Sequence, residues 1–500
     1  MNKALQLRIL ICSVFLLFLS CSTAQGKKDT LAAIDLKVEQ LMDDFNIPGV
    51  SLAIVKDHKP FLAKGYGIRH LETKAPVDEH TLFSIASCSK AFTAAGLAHL
   101  VEAGRLDWER PVSEFMPDFK MADDYATTNI TVKDMLAHRS GLARNDLIWY
   151  NSGLDRFQIF DRLAYLPMSN PLYKNYEYNN VMYVVAGVIL EKIAATSLED
   201  YITKNILQLL EMKETVWFNA DMKQSGNYAT SYLPDEEDNL IASELYPHGD
   251  VTAAAGGIKT SAQDMTNWLI FQLNKGTFKG RSIIAEKLVD EMQKGNVLIR
   301  DSNTKEIGAM AYGLGWARYL YRGHDFVDHT GAREGYWSQV NLLPKDGLAI
   351  YVNSNSGAAS TAFVEALSYT LTDYLLGLPP IDWSQRNWEK QKKGEEERAM
   401  MKAKMEEALS STLKPEKEVK AYTGTFQHPA YGNLVISVES GGIKALFRGT
   451  EYLLLAQPGG LFFGKSGNEH ILLGFRIAAN GTIDSLQTDF QGASVQFLKK

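Results

Sequence analysis

Apolar residues recur at helical spacing at Leu31, Ile34, Val38, Leu41, Met42 and Phe45, which predicts an amphipathic helix over 31–46. The period then changes. Val50 to Val55 reads as a strand, Lys56 to Lys59 as a turn and Pro60 to Tyr66 as the return strand, so 49–67 predicts a hairpin. From about residue 87 to 300 the pattern is mainly helical, broken by Gly, Pro and Asn. Strand pattern returns at Tyr336–Leu343 and Leu348–Val352, joined by a Pro344-Lys345-Asp346-Gly347 turn, and a helix follows over about 360–376. Strands early, helices in the middle and strands late predict an α/β (α+β) domain. Its sheet draws strands from both ends, with the helical portion inserted between them.

Residues 383–420 change character. Glu395-Glu396-Glu397 stands among Lys390, Lys392, Lys393, Lys402 and Lys404, with Met400, Met401 and Met405 interspersed. This reads as a charged, solvated linker helix. Beyond Tyr422, short strands alternate with Gly-rich turns: Leu434–Val438, Ile443–Phe447, Tyr452–Leu455, Leu461–Phe463, Ile471–Ile477, Ser485–Phe490 and Ser494–Leu498. That spacing predicts a small antiparallel barrel. Gly459 to Ser466 matches the phosphate-loop expression, but it leads into a strand rather than a helix, so the physics of phosphate binding is missing.

Composition narrows the function. The 500 residues carry a formal charge of −7, 45% apolar and 22% charged residues, which is globular composition whose mild acidity argues against nucleic acid as the main partner. Three cysteines exclude a disulfide scaffold and a Cys-rich metal module. Lys3 and Arg8 before the apolar run Ile9–Leu19 read as an export signal. Its exit is either the Ser22-Thr23-Ala24 cleavage site or lipidation at Cys21. Cleavage would remove Cys12 and Cys21 and leave Cys88 alone.

Candidate chemistry centres on Phe83 to Ala94. Ala91, Ala94, Ala98 and Val101 have helical spacing, which puts Ser87 at a helix N-terminus and Lys90 one turn on, on the same face. A hydroxyl becomes nucleophilic when a neighbouring base takes its proton, and a desolvated lysine can be that base. Tyr178 and Asn180 form a Tyr-x-Asn element: a phenol that can shuttle protons and an amide that can bind a carbonyl. His329-Thr330-Gly331 lies just before a strand, where the glycine would let substrate approach the strand edge. Singly, each of these patterns also suits a helix cap or an ordinary turn. Cys88 points about 100° away from Ser87 on a helix and reads as core. Trp149, Tyr150 and Trp337 read first as core aromatics. No His-Glu-x-x-His or Gly-x-Ser-x-Gly occurs.

In this order, with Ile130–Leu142, Ala255–Ser261 and Tyr312–Trp316 between and around them, the three elements make the chain resemble the serine β-lactamase and penicillin-binding-protein superfamily. Within it the chain looks like the branch of class C β-lactamases, D-aminopeptidases and carboxylesterases. The resemblance implies Ser87 as acylated nucleophile, Lys90 as its base, Tyr178 as proton relay and Asn180 as the substrate-orienting amide. It also implies an oxyanion hole from the backbone N–H of Ser87 and Ala332, with His329, Thr330, Gly331 and Ala332 binding substrate, and neither cofactor nor metal. Most members carry Lys where His329 stands. Neutral His would bind a carboxylate poorly, whereas protonated His could do so at mildly acidic pH. Tyr422–Phe426 and Tyr431–Leu434 resemble the lipocalin-like barrel found behind such domains.

The expected organisation is a signal over 1–24, a β-lactamase-like serine hydrolase domain over 25–380, a linker over 381–420 and a barrel over 421–500. The expected activity is an exported, periplasmic or secreted hydrolase acting through an acyl-enzyme on a D-amino-acid peptide or a carboxylester, small or cell-wall-derived. The membrane would be met only through a lipid at Cys21. The alternatives are a true β-lactamase and a catalytically weak binder of penicillin or wall peptide.

Overall fold

The computed structural model describes residues 25–500 apart from 236, 238, 244–248, 303, 358, 411, 412, 440, 441, 468, 491 and 492. The export signal and its Cys21 lie outside the described residues. Nine antiparallel strands form the central sheet, in the order Val297–Arg300, Met310–Tyr312, Ala317–Tyr321, His324–Arg333, Tyr336–Leu343, Leu348–Ser354, Gly49–Lys56, Lys59–His70, Ala75–Pro76. The chain's two ends meet at its centre, where Val50 pairs with Ser354 and Val55 with Ala349. Asp57 and His58 close the first hairpin with φ of 52° and 59°, the left-handed pair that matches strand twist.

Alternation along these strands sorts side chains into two cores. Leu52, Ile54, Ile350 and Val352 pack with Phe45, Phe363 and Leu367, so one face is covered by helix 25–44 and helix Ser360–Leu376. Ala53, Val55, Ala349 and Tyr351 face the inserted helical portion. Helices Ser89–Glu102 and Asn180–Ala194 lie at its centre. Their inward positions include the small Ala91, Ala94, Ala95 and Ala98, all fully buried, which let neighbouring backbones come close. Phe92 stacks on Trp268 with centroids 3.7 Å apart.

The solvated-linker reading of 383–420 fails at its start. Helix Trp383–Ser410 opens against the hydrolase core. Trp383 is buried, donates to Asp373 Oδ2 at 2.8 Å and meets Tyr369 at 4.8 Å between centroids, while Trp388 packs edge-on to Phe45. Two tryptophans outweigh the charges there. Met400 and Met401, further on, are exposed.

The C-terminal part is a closed eight-stranded barrel. The sequence pattern missed its first strand, Gly424–His428, in which Phe426 is the single buried side chain. The phosphate-loop look-alike is barrel: Leu461–Ser466 is a strand. Turn residues dock the barrel on the hydrolase. Arg162 Nη1 donates to Ala430 O at 2.9 Å, Arg448 Nη1 to Tyr150 O at 3.2 Å, and the Tyr431 hydroxyl to Asn145 Oδ1 at 2.6 Å.

Candidate active site

Ser87 sits in the 3₁₀ turn Ala86–Cys88 that feeds helix Ser89–Glu102. Ala86 is held at φ 45°, a conformation that L residues avoid, so the turn is strained just before Ser87. Two motif glycines make room for it. A Cβ on Gly331 would lie 2.2 Å from Ile85 O and 2.9 Å from Ser87 N; one on Gly315 would lie 2.9 Å from the Ala91 backbone. Gly331 therefore serves the approach of the nucleophile turn to the strand. The expectation that it makes room for substrate is corrected.

Lys90 is fully buried. Its Nζ lies 2.8 Å from Asn180 Oδ1, 2.9 Å from Ala255 O and 3.1 Å from Ser87 Oγ. Burial lowers the amine to about 7, with the Asp146 carboxylate opposing that and Arg144 adding to it. At neutral pH much of the population is the free amine. That amine has two N–H and one lone pair. Two contacts are acceptors only, so the lone pair is left for the Ser87 hydroxyl.

The Asn180 amide is not free to flip. Its Nδ2 faces Asp146 Oδ1 and Oδ2 at 3.1 and 3.3 Å, which turns Oδ1 to Lys90. Asn180 begins helix Asn180–Ala194, which Asn179 caps by accepting from Met182 N. Arg144 Nε and Trp149 Nε1 also donate to Asp146, at 2.6 and 3.1 Å. Asn180 thus holds the Lys90 amine as well as facing the cavity.

Tyr178 lies beside the pair, with Lys90 Nζ 4.8 Å from its ring centroid. Burial holds its phenol above the ordinary value, against the lowering effect of its hydrogen bond with Ser87, so it is a neutral phenol. Ser87, Tyr178, Asn180, His329, Thr330 and Ala332 all line one cavity of about 560 Å³. The structure brings every sequence-selected site residue to this place, Lys90 and Gly331 from behind its wall.

The Beta-lactamase family model matches residues 34–371. The chain belongs to the Beta-lactamase family. A domain of unknown function, DUF3471, matches residues 410–499. Unguisins hydrolase ungD' of Aspergillus campestris is 28% identical over 417 residues, covering 80% of this chain and 76% of that protein. In fold, the chain is similar to the octameric penicillin-binding protein homologue from Pyrococcus abyssi, at TM-score 0.61 and 21% identity over 93% of this chain and 99% of that one. It is also similar to SurE, solved with D-Leu, at TM-score 0.57 and 19% identity over 95% and 100%. With this family membership, the chain is a serine hydrolase.

His329 is where this family member departs from a lysine. Its Nδ1–H donates to Thr330 O at 2.6 Å, so Nε2 accepts the Tyr312 hydroxyl at 2.7 Å. Burial first, and Lys90 second, push the imidazole down to about 3. Of the two states that the sequence left open, burial favours the neutral imidazole, so the third element carries no positive charge at mildly acidic pH. Cys88 is inert, its thiol pushed up by burial to about 12. The core reading of three aromatics is also corrected. Trp337 lines the main cavity, and Trp149 and Tyr150 line a second one of about 490 Å³ against the barrel.

Several site residues were not found from sequence. Asp146 and Arg144 carried no pattern. His138, within the Ile130–Leu142 segment, is fully buried, accepts from Asn179 N at 3.1 Å and lies 4.4 Å from Tyr178 between ring centroids. Burial keeps it neutral. Its φ of 58°, in a loop between two helices, was the one local sign, and the sequence does not show it. Among the described residues, no group of three or more His, Cys, Asp or Glu is placed to hold a metal ion.

Proposed function

We propose that this serine hydrolase cleaves amide or ester bonds of peptides containing D-amino acids, through an acyl-enzyme on Ser87. The observation that carries the mechanism is the pinned Lys90 amine, whose lone pair is directed at Ser87 Oγ. Ser87 attacks the carbonyl carbon as its proton passes to Lys90 Nζ. The backbone N–H groups of Ser87 and Ala332 receive the developing oxyanion; such donors contribute about 10²–10³ each. The leaving nitrogen or oxygen takes a proton from the Tyr178 hydroxyl, which is replenished from Lys90. Water then enters, gives a proton back along the same route, and releases the acid and free Ser87.

Three points support the substrate class. The third element lacks the cation that would hold a terminal carboxylate, which favours a bond inside a chain or an ester over a penicillin. The cavity is walled by Tyr176, Tyr312, Tyr319 and Trp337, surfaces suited to peptide side chains. One relative is named for hydrolysis of unguisins, and one fold relative was solved with D-Leu. The basic and apolar start of the chain supports export as part of the same reading.

The test is a substrate panel on the full chain: p-nitrophenyl esters, D-alanyl p-nitroanilide, a D-residue-containing peptide and nitrocefin. Turnover of the peptide or anilide that vanishes in Ser87→Ala is expected. Nitrocefin turnover exceeding both would replace this reading with a β-lactamase. No fluorophosphonate labelling at Ser87 would sink the acyl-enzyme.

A further inference from the structure

We propose that Tyr431, at a hairpin tip of the barrel, is a positioning residue for the Ser87–Lys90 pair, acting through Asn145 and Asp146. The inference rests on reading Lys90 as the base.

Asn145 is fully buried and held at φ 52°, ψ 24°. Its Nδ2 donates to Ala143 O at 2.7 Å and Pro167 O at 3.3 Å, which fixes the amide and turns Oδ1 to the barrel. There it accepts the Tyr431 hydroxyl at 2.6 Å. Without that donor a buried carbonyl oxygen stays unpaired, which a side chain relieves by moving. Tyr431 is itself buried, 2% exposed, so the link is shielded from water.

The next residue is Asp146. It opens the 3₁₀ turn Asp146–Ile148 and faces Asn180 Nδ2. Asn180 Oδ1 in turn receives a Lys90 N–H. One peptide bond and three hydrogen bonds therefore run from the barrel to the base. The hydrolase side clamps the same loop once more, since Asn179 Nδ2 donates to Leu142 O and Ala143 O at 3.0 and 2.7 Å. The two clamps hold opposite ends of 142–145, and the barrel supplies the second.

Charge follows geometry. Lys90 is faced by Asp146 and Arg144 from this loop and by Cys88 from its own turn. Tyr178 and Tyr183 present their rings at 4.8 and 5.2 Å, and His138 and His329 stand near as neutral imidazoles. Asp146 is the acidic group among these, and it raises the Lys90 amine against burial. Loosening Asp146 therefore lowers the pH at which Lys90 loses its proton, while misaligning it.

The test is the pH dependence of fluorophosphonate labelling of Ser87 in the full chain, for wild type and Tyr431→Phe. The expected result is a plateau rate down about tenfold and an acid limb moved to lower pH by about half a unit. Arg162→Ala removes a docking hydrogen bond to Ala430, beside Tyr431 on the hairpin tip but away from 142–145 on the hydrolase, and, with the Tyr431–Asn145 bond intact, is expected to leave the limb in place. Asn145→Gly, which suits the left-handed backbone, breaks the link from the other side and serves if Tyr431→Phe does not fold. The double variant is expected to shift the limb no further than Asn145→Gly alone. A limb unmoved in Tyr431→Phe and Asn145→Gly, or moved equally by Arg162→Ala, overturns the proposal. Wild type that is not labelled at Ser87 overturns both this and the acyl-enzyme reading.

Discussion

Two buried lysines stand on either side of the nucleophile turn. Lys90 follows it on helix Ser89–Glu102; Lys259 lies on the short strand that pairs with Phe83–Ser84 just before it. Burial brings both amines down to about 7, aided at Lys259 by Arg333. Both are almost wholly shielded. By titration alone they are equivalent candidates for a base. Their partners separate them. Lys90 reaches Ser87 Oγ, whereas Lys259 donates at 2.6 Å to Trp217 O, a carbonyl that has no proton to give. A lowered amine becomes a base only where its lone pair meets an acidic hydrogen.

The comparison breaks most sharply in activity. Lys90→Met and Ser87→Ala are each expected to lower kcat on the order of 10⁴-fold or more, and Lys259→Met by less than about tenfold; steady-state assays on the best substrate of the panel decide it. Equal losses from both lysines would erase the distinction. Next in size, Tyr178→Phe is expected to cost about 10²–10³-fold in kcat, because in the proposed mechanism the phenol's proton, and not its ring, passes to the leaving group. A burst assay would show whether acylation or deacylation suffers more.

The pH profile sharpens the contrast further. Lys90 must be neutral to accept a proton, so kcat/KM is expected to fall as pH drops through about 7. Lys259→Met should leave that midpoint where it is. His329, protonating only near 3, adds no limb in this range. The smallest effect is on stability. Between about 7 and 10.5 the unfolded chain holds protons on both lysines that the folded chain has shed. Unfolding then takes up protons, and stability rises with pH across that window. Thermal melts from pH 7 to 10 should show the rise, and Lys259→Met should flatten part of it while leaving the midpoint of the activity profile in place.

How far the sequence carried differs between these regions as well. Ser87 and Lys90 are three residues apart, so their meeting follows from helix geometry. The centre of the two-ended sheet was legible because Val50–Val55 and Leu348–Val352 are nearly continuous apolar runs, whereas Val297–Arg300, Met310–Tyr312, Ala317–Tyr321 and His324–Arg333 are too short or too polar to read as strands. Asp146 and Asn180 meet across 34 residues, His138 and Asn179 across 41, and Tyr431 and Asn145 across 286. No local period encodes such pairings. Trp383 was hidden differently: the charge run that follows it dominated the window, though one indole in a core pocket decides where the helix starts. Gly424–His428 escaped because one buried ring gives no alternation to read.

The pairing of Gly49–Lys56 with Leu348–Ser354 also sets an order of events. The second strand of that central pair is among the last parts of the hydrolase to be synthesised. Until it arrives, Gly49–Lys56 presents a long apolar edge with no final neighbour. Such non-local pairing folds slowly and leaves an aggregation-prone edge in the meantime. A chain ending before Leu348 keeps Ser87 and Lys90 in its sequence yet lacks the strand that completes the sheet behind them. Everything before Leu348 is thus synthesised before this pairing can form, and the sheet behind Ser87 is complete only when the far end of the domain meets its beginning.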